Sequence, residues 1–244
     1  MSSTPRLLTP HSALFLDFDG TLVDIAPRPD AVDIHHGLPD LLVRLHQRLG
    51  GALALITGRA QDDIEPMLAP VLTYLPAAYE HGAVRRRADQ TLTVAPPPAL
   101  DRALAAARSL ADRHPDLLVE RKRSSVALHF RLAPALAPAC VAAMTEAAQQ
   151  DPGLQLLHGK AVVEVKSAQV GKGLAIEAFM AEVPFAGRLP VFVGDDVTDE
   201  PGFVVVQRLG GDAIKVGSGE TAAAHHIPDP TRLRQWLQDS LQQL

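Results

Sequence analysis

Short apolar runs alternate with segments of helical periodicity along residues 1–95, and the same pattern returns along residues 167–244. The elements predicted for the first part are strand Ala13–Leu16, helix Leu38–Leu49, strand Ala52–Ile56, helix Gln61–Leu68 and strand Ala77–Tyr79. Those predicted for the last part are helix Lys172–Glu182, strand Pro190–Gly194, a helix starting near Asp199, strand Asp212–Val216 and helix Thr231–Leu241. Such alternation is typical of a parallel sheet with helices on both faces. The two parts together predict one α/β core.

The middle of the chain, residues 96–166, follows a different pattern. The elements predicted there are helix Ala99–His114, strands Leu117–Lys122 and Ser125–Arg131, helix Ala135–Gln150, and strands Leu154–Leu157 and Ala161–Val165. This αββαββ order indicates a small α+β domain inserted into the core, with Pro and Gly clustered at its edges, where hinges usually lie. We interpret the insert as a movable cap over the core's active site. The alternative is an insert that packs rigidly with the core as one lobe.

The composition is that of a globular protein with a sizeable core, since 47% of the 244 residues are hydrophobic and 21% are charged. The formal net charge of −5 argues against nucleic acid or an anionic membrane as a partner. No segment approaches the length of a membrane span and the N-terminus lacks a signal-peptide pattern, so we expect a cytoplasmic protein. The single cysteine, Cys140, allows no internal disulfide and fits a reducing compartment.

The most informative stretch is Asp17-Phe18-Asp19-Gly20-Thr21-Leu22, which directly follows the first predicted strand. Alternation of side chains places Asp17 and Asp19 on the same side of an extended backbone. Gly20 allows a tight turn whose N–H groups can approach a ligand. Two carboxylates this close repel each other unless a proton or a cation lies between them. The stretch therefore predicts a binding site for Mg²⁺, because this ion prefers carboxylate, carbonyl, water and phosphate oxygens.

Three further motifs are predicted to lie at the same edge of the sheet. Thr57-Gly58-Arg59 follows a strand and offers a hydroxyl and backbone amides suited to a phosphate oxygen. Lys172 opens a helix, where its ammonium can neutralise both a phosphoryl group and a nearby carboxylate. The stretch from Gly194 to Glu200 follows another strand and supplies carboxylates for a metal ion.

Taken in chain order, the motifs DxDGT, a hydroxyl residue, a lysine and GDDxTD resemble those of the haloacid dehalogenase superfamily of phosphohydrolases, across the whole core. The resemblance implies a Rossmann-like core with an αββαββ cap inserted between the second and third motifs. It implies that Asp17 attacks phosphorus and becomes an aspartyl-phosphate, while Asp19 acts first as general acid and then as general base. The expected ligands of Mg²⁺ are the Asp17 carboxylate, the Asp19 carbonyl oxygen and Asp195.

The other motif residues take supporting roles in this scheme. The residues expected to bind the substrate's phosphoryl group or stabilise its charge are Gly20, Thr21, Thr57, Arg59 and Lys172. From outside the set of metal ligands, Asp196 and Asp199 are expected to orient metal-bound water and Lys172.

A closer resemblance is to trehalose-6-phosphate phosphatases. It rests on the stretches Glu80–Ala83, Val119–Lys122, Ala127–Arg131, His158–Lys166, and Gly194–Glu200 with Phe203. The resemblance implies a Mg²⁺-dependent enzyme that hydrolyses trehalose 6-phosphate in trehalose biosynthesis, with cap residues that contact the sugar hydroxyls. By position these residues are Glu120, Lys122 and Glu164, with His129, Arg131 and Lys160 as further candidates. The chain departs from the family at Thr57, where serine is frequent, and at Pro201-Gly202.

The cap residues also fit a sugar on physical grounds. Glu120 and Lys122 are two apart on a predicted strand and face the same way, while Glu164 lies on another strand of the insert. Charged side chains in a closed polar cleft make strong hydrogen bonds to hydroxyls. The alternative is an ordinary solvent-facing set of cross-strand charges.

Other functions stay open at this point. Sucrose 6-phosphate and mannosyl-phosphoglycerate are alternative substrates of the same chemistry. A non-catalytic subunit that binds a sugar phosphate and regulates a synthase is an alternative from another class, although a pure binder has no need of the nucleophile. The chain is expected to act as a monomer or a homodimer. His225-His226 are predicted to lie in a surface loop, because no carboxylate or cysteine is found at the spacing of a metal site from them.

Overall fold

The computed structural model describes residues 5–26, 28, 31–87, 90–159 and 161–244. The chain divides into two compact units. The first unit is Met1–Leu92 with Gly171–Leu244, and the second is Thr93–Val170. The second unit is thus an insertion within the sequence of the first.

Twelve strands and seven α-helices are assigned in the described part of the chain. The strands are β1 (Ser12–Leu16), β2 (Leu53–Ile56), β3 (Ala77–Tyr79), β4 (Val84–Arg86), β5 (Thr91–Thr93), β6 (Leu118–Arg121), β7 (Ser125–His129), β8 (Leu154–His158), β9 (Val162–Ser167), β10 (Leu189–Gly194), β11 (Asp212–Val216) and β12 (His225–Ile227). The helices are α1 (Leu38–Arg48), α2 (Gln61–Ile64), α3 (Ala99–Ala111), α4 (Ala137–Gln149), α5 (Lys172–Met180), α6 (Glu200–Arg208) and α7 (Pro230–Gln243).

The sheet of the first unit has the strand order β12-β11-β10-β1-β2-β3-β4-β5. The strands from β12 to β3 are parallel, and β4 pairs with β3 in the antiparallel direction. Every residue of β1 is buried, because both faces of the sheet are covered. Leu14 and Leu16 pack into the hydrophobic core that contains α1 and α7 residues, whereas Phe15 packs into the core that contains Phe179 and Phe203. The predicted parallel-sheet α/β core is confirmed.

Two predictions about local structure are wrong. The helix predicted over Gln61–Leu68 ends at Ile64 and continues as turns. The physical reason is Pro66, which has no N–H to donate to the carbonyl four residues earlier and whose ring crowds that carbonyl. The His225-His226 pair lies in β12 rather than in a surface loop, and His225 Nε2 is 3.6 Å from a carboxylate oxygen of Asp212.

The second unit is a four-stranded antiparallel sheet of order β6-β7-β9-β8, with helices α3 and α4 packed against it. Its core is built from alternate residues of the two central strands, such as Val126 and Val163, together with apolar helix residues including Met144 and the buried Cys140. The element order is the αββαββ order expected from the sequence. Across the described ranges of the chain, no helix has both the length and the apolar composition that a membrane span requires.

Candidate active site

Three neighbouring parallel strands carry the acidic and hydroxyl motifs to one edge of the sheet. β1 lies between β10 and β2, and the chain leaves these strands at Asp17, Asp195 and Thr57. The N–H of Asp17 donates to the carbonyl of Val193 on β10, and the N–H of Thr57 donates to Ala78 on β3. Because the carboxyl ends of parallel strands meet at one edge, residues far apart in sequence converge here.

A buried ion-pair network joins Lys172 to two carboxylates. Lys172 Nζ is 2.6 Å from Asp17 Oδ1 and 2.7 Å from Asp199 Oδ1. The three residues are 3%, 4% and 0% exposed for Lys172, Asp17 and Asp199 respectively. Lys172 reaches them from the first turn of α5, which begins directly after the inserted unit. The structure therefore brings together Asp17, Lys172 and Asp199, which belong to three motifs that the sequence predicts to converge.

The Asp17 turn also contacts Asp195. The hydroxyl of Thr21 lies 3.2 Å from Asp17 Oδ2 and 3.2 Å from Asp195 Oδ1. Gly20 has a φ of +76°, and a Cβ at this position would lie 2.1 Å from Asp195 Oδ2. A glycine is needed here both for the left-handed backbone and for the close approach of the Asp195 side chain.

Asp199 organises the loop after β10. Its Oδ2 accepts hydrogen bonds from the backbone N–H groups of Asp195 and Asp196, each at 3.0 Å. With Lys172 on its other oxygen, both carboxylate oxygens of Asp199 are bound by donors of the protein itself. Asp196 is exposed, and its Oδ1 accepts from the N–H of Val197 at 2.7 Å.

The electrostatics of this cluster favour an additional positive charge. Burial raises the pKa of Asp17 well above its usual range, and the nearby carboxylates of Asp199 and Asp195 add to the effect, while Lys172 opposes it. Burial and the Asp199 charge also raise the pKa of Asp195. Burial alone would lower the pKa of Lys172, but Asp17 and Asp199 together raise it above its ordinary value. One ammonium thus compensates the negative charge of this buried group only in part.

The donor set fits a hard metal cation. Carboxylate oxygens of Asp17, Asp195 and Asp199 all lie within 4.8 Å of one another. Carboxylate oxygens are the ligands that Mg²⁺ and similar ions prefer, and a cation would relieve the repulsion among them. These three residues could hold a metal ion.

Asp19 is held by Arg59 through two hydrogen bonds. Arg59 Nε donates to Asp19 Oδ2 at 2.7 Å and an Nη atom donates to Asp19 Oδ1 at 2.6 Å. This fork geometry fixes the orientation of a carboxylate, and the hydrogen bonds to Asp19 raise the pKa of Arg59. The side chain of Thr57 is buried, and its Oγ accepts from the N–H of Arg59 at 3.1 Å.

The chain is similar to known proteins along most of its length. The trehalose-phosphatase family model matches residues 15–235. The chain belongs to the trehalose-phosphatase family. It is 39% identical to the trehalose-6-phosphate phosphatase of Escherichia coli K12 over 240 residues, which cover 98% of this chain and 89% of that protein. It is 42% identical to a probable trehalose-phosphate phosphatase of Sinorhizobium fredii over 226 residues, 91% of this chain and 84% of that protein.

Solved structures share the fold of this trehalose-phosphatase family member. A trehalose-6-phosphate phosphatase related protein matches with a TM-score of 0.73 and 29% identity, over 94% of this chain and 97% of that chain. A phosphatase of the haloalkanoate (HAD) superfamily from Bacteroides thetaiotaomicron shares the fold, with a TM-score of 0.65 and 16% identity, over 93% and 94% of the two chains. The resemblance to trehalose-6-phosphate phosphatases is confirmed by the family match, and the fold expected from the superfamily resemblance is shared with these structures.

In the second unit of this trehalose-phosphatase family chain, three of the predicted sugar-contacting residues lie on strands, namely Glu120, His129 and Glu164, while Lys122 directly follows β6. Glu120 on β6 and Glu164 on β9 pair with the same residue, Ala127, of the central strand β7, so the two carboxylates lie in one row. Glu120 Oε2 accepts from His129 Nε2 across the strands at 2.9 Å, and Glu120 Oε1 lies 3.9 Å from Lys122 Nζ. Arg131 is exposed. Lys160 lies outside the described residues.

The sequence reasoning missed Lys215. This lysine is 6% exposed, stands in the otherwise apolar part of β11, and donates from Nζ to the backbone carbonyl of Asp195 at 2.6 Å. The N–H of Asp195 is bound by Asp199, so its backbone is held on both sides by charged side chains. The sequence did contain a signal for this contact. Lys215 stands inside an apolar strand that is expected to end beside an acidic loop, and lysine is rarely buried without a partner.

Proposed function

We propose that this chain hydrolyses trehalose 6-phosphate to trehalose and phosphate, with Mg²⁺ as cofactor and through an aspartyl-phosphate intermediate. The observation that carries the proposal is the Asp17 carboxylate, which is buried at the edge of the sheet and held at 2.6 Å by Lys172 in a chain of the trehalose-phosphatase family. A non-catalytic binding protein would have no use for a buried nucleophile beside an ammonium.

In the first step, an oxygen of Asp17 attacks phosphorus, the bond to the sugar oxygen breaks, and the phosphoryl group is carried by Asp17. A water molecule then attacks the same phosphorus and releases inorganic phosphate. Lys172, Thr57 and the N–H groups near Gly20 and Thr21 would stabilise the charge on the phosphoryl oxygens. Lys172 and Thr57 would need to move little during the reaction, because hydrogen bonds already hold them in place.

Mg²⁺ would be held by the Asp17 carboxylate, the Asp19 carbonyl and Asp195. When bound, it supplies positive charge that lets an anionic nucleophile approach an anionic phosphate. Asp199 and Lys215 would fix the backbone of Asp195 from opposite sides, and the exposed Asp196 could bind metal-bound water.

Asp19 would protonate the departing sugar oxygen and then accept a proton from the attacking water. Arg59 donates one hydrogen bond to each carboxylate oxygen of Asp19, which leaves a lone pair on each oxygen for proton transfer. Arg59 would therefore orient Asp19 in the resting enzyme and could also contact the phosphoryl group during turnover.

The proposal is tested by phosphate release from trehalose 6-phosphate, sucrose 6-phosphate, mannosyl-phosphoglycerate and glucose 6-phosphate, each with Mg²⁺ and with EDTA. We expect trehalose 6-phosphate to have the highest kcat/KM by at least ~100-fold, since a site built to bind particular hydroxyls discriminates strongly against a ligand that lacks them. EDTA should abolish turnover. A higher kcat/KM for another sugar phosphate would show that trehalose 6-phosphate is not the preferred substrate and would leave the proposed chemistry unchanged. Full activity in EDTA would contradict the metal assignment.

We also propose that Glu120, Lys122 and Glu164 bind the sugar hydroxyls, with His129, Arg131 and Lys160 as additional contacts. The cross-strand row of Glu120 and Glu164 presents two carboxylates as hydrogen-bond acceptors on one sheet. A disaccharide offers many hydroxyl donors, and charge-assisted hydrogen bonds to them are strong.

Replacing Glu120 with alanine is expected to lower kcat/KM for trehalose 6-phosphate by about 10- to 100-fold and for a small aryl phosphate by less than about threefold. The reason is that the aryl phosphate has no sugar hydroxyls to lose. Glu146→Ala is a matched control, because Glu146 is an exposed carboxylate on α4 of the same unit. Equal losses on both substrates would show that Glu120 supports the fold instead of binding the sugar.

A further inference from the structure

The turn Glu80–Gly82, which follows β3, has an unusual backbone. Glu80 has a φ of 46° and His81 a φ of 59°, so two consecutive residues with side chains adopt the left-handed region, and Gly82 follows with a φ of 107°. This region is unfavourable for residues other than glycine, and such strain persists only when the surrounding structure requires it. We refer to Glu80–Gly82 as the strained turn.

The strained turn is hydrogen-bonded to the loop Thr57–Arg59, which we call the phosphate loop. The N–H of His81 donates to the carbonyl of Thr57 at 2.8 Å, and the N–H of Glu80 donates to the carbonyl of Arg59 at 2.9 Å. Both hydrogen bonds join the strained turn to the phosphate loop. The strain is thus accompanied by contacts to a segment of the active site.

Side-chain packing joins the same two segments. A Cβ on Gly58 would lie 2.5 Å from Cε1 and 2.8 Å from Nε2 of His81, so the imidazole ring lies directly against the Gly58 backbone. On the other side of the turn, a Cβ on Gly82 would lie 3.0 Å from Ala175 Cβ and 3.2 Å from the carbonyl oxygen of Gly171, at the start of α5. The strained turn therefore lies between the phosphate loop and the helix that carries Lys172.

We propose that His81 is a positioning residue, which fixes the phosphate loop by packing its ring against Gly58 while the strained turn fixes the loop's carbonyls. The inference rests on the proposed function, because it concerns where the loop places the Thr57 hydroxyl and the Arg59 guanidinium for a phosphoryl group. A displacement of about 1 Å in such groups is enough to reduce turnover about 100-fold.

The contact can be tested by creating a clash and then relieving it. Gly58→Ala adds the clashing Cβ, and it adds no backbone strain because the φ of Gly58 lies outside the left-handed region. His81→Asn removes the outer atoms of the ring while keeping a residue type that tolerates positive φ. The two variants, their combination and the wild type form a double-mutant cycle, measured by kcat/KM for trehalose 6-phosphate and by the inhibition constant of inorganic phosphate.

We expect Gly58→Ala to lower kcat/KM about 100-fold and to weaken phosphate inhibition, and His81→Asn to lower kcat/KM by about tenfold or less. In the His81→Asn background, adding Gly58→Ala should cost less than about threefold, because the ring that it would meet is gone. The same loss from Gly58→Ala in both backgrounds would overturn the proposal. So would a cycle in which the variants change only the unfolding midpoint and leave kcat/KM and phosphate inhibition unchanged.

Gly37→Ala is a matched control, because a Cβ on Gly37 would also face a histidine ring, but at an ordinary 3.5 Å from His35. It should change kcat/KM by less than about twofold. If the wild type released phosphate from no sugar phosphate, the proposed function would fail by itself. The inference would then be decided by inorganic phosphate binding across the cycle, measured by calorimetry, where absence of coupling would contradict it.

Discussion

Replacing Asp17 with asparagine is expected to reduce phosphate release from trehalose 6-phosphate by at least ~10⁴-fold at saturating Mg²⁺, because an amide oxygen cannot serve as the nucleophile. The loss should be the same for every phosphomonoester that the wild type accepts, since the nucleophile acts on phosphorus and not on the sugar. Asp40→Asn, which changes an exposed aspartate in the same unit, is the matched control and should retain full activity.

The folded state should survive this substitution. Asparagine has the size of aspartate, and its Oδ1 can still accept from Lys172, which keeps Asp199 as its charged partner. Burial raises the pKa of Asp17, so in the metal-free protein the ionised carboxylate lowers stability as pH rises above its unfolded-state pKa of about 3.9. We therefore expect the unfolding midpoint of Asp17→Asn in EDTA at neutral pH to equal or exceed that of the wild type.

Two readouts make the Asp17 prediction specific. The wild-type unfolding midpoint should rise on addition of Mg²⁺, because a ligand that binds the folded state stabilises it, and the rise should be smaller for Asp17→Asn. Near-normal phosphate release by the variant in a metal-replete assay would show that another residue is the nucleophile. A large loss of activity together with a much lower unfolding midpoint would show that Asp17 supports the fold.

The convergence of Asp17, Thr57 and Asp195 could be predicted from the sequence for a topological reason. Each follows an apolar run, and the carboxyl ends of neighbouring parallel strands lie at one edge whichever helices connect them. The order of strands and helices was predictable because buried parallel strands leave continuous apolar runs. The local pattern of apolar residues therefore predicts those residues of the site that lie at strand ends.

Two contacts of charged side chains in the site could not be predicted in this way. Arg59 binds Asp19 across 40 residues, and Lys215 binds the carbonyl of Asp195 across 20 residues. Which of several cations approaches which acid depends on the packing of loops, and no local pattern records that. The left-handed backbone at Glu80 was also unpredictable, because glutamate, unlike the histidine that follows it, is not one of the residue types enriched in that region.

Three short strands near the two ends of the core sheet were missed for an energetic reason. β4, β5 and β12 have three residues each, and β5 is exposed along its whole length. Such strands bury too little apolar surface to impose a period of two on the sequence.

Replacing Lys172 with methionine is expected to lower the free energy of unfolding of the metal-free protein by roughly 3–5 kcal/mol, because it leaves the carboxylates of Asp17 and Asp199 buried without their shared cation. Phosphate release should fall by at least ~10³-fold, since a charge that stabilises the phosphoryl oxygens is lost. The pKa of Lys172 is raised in the folded state, so its stabilisation is fully present below the unfolded-state pKa of about 10.4 and is lost only above it. Chemical denaturation at pH 7 therefore measures the full effect.

A second substitution separates the structural role of Lys172 from its catalytic role. In Lys172→Met/Asp199→Asn the asparagine oxygen can still accept from the N–H groups of Asp195 and Asp196, while one of the two unpaired charges is removed. We expect this double variant to recover most of the lost stability and to stay inactive. Equal instability of the single and double variants would contradict the electrostatic explanation.

Lys215→Met is the matched comparison, because Lys215 is buried like Lys172 but donates to a carbonyl and pairs with no carboxylate in the contacts described above. Its loss leaves one acceptor unsatisfied and should cost about 1–3 kcal/mol, less than the loss of Lys172. Phosphate release by Lys172→Met within tenfold of the wild type would remove Lys172 from the catalytic site. The comparison of the free energies of unfolding lost in Lys172→Met and Lys215→Met then tests whether the buried carboxylates, and not the burial of the lysine alone, make Lys172 indispensable.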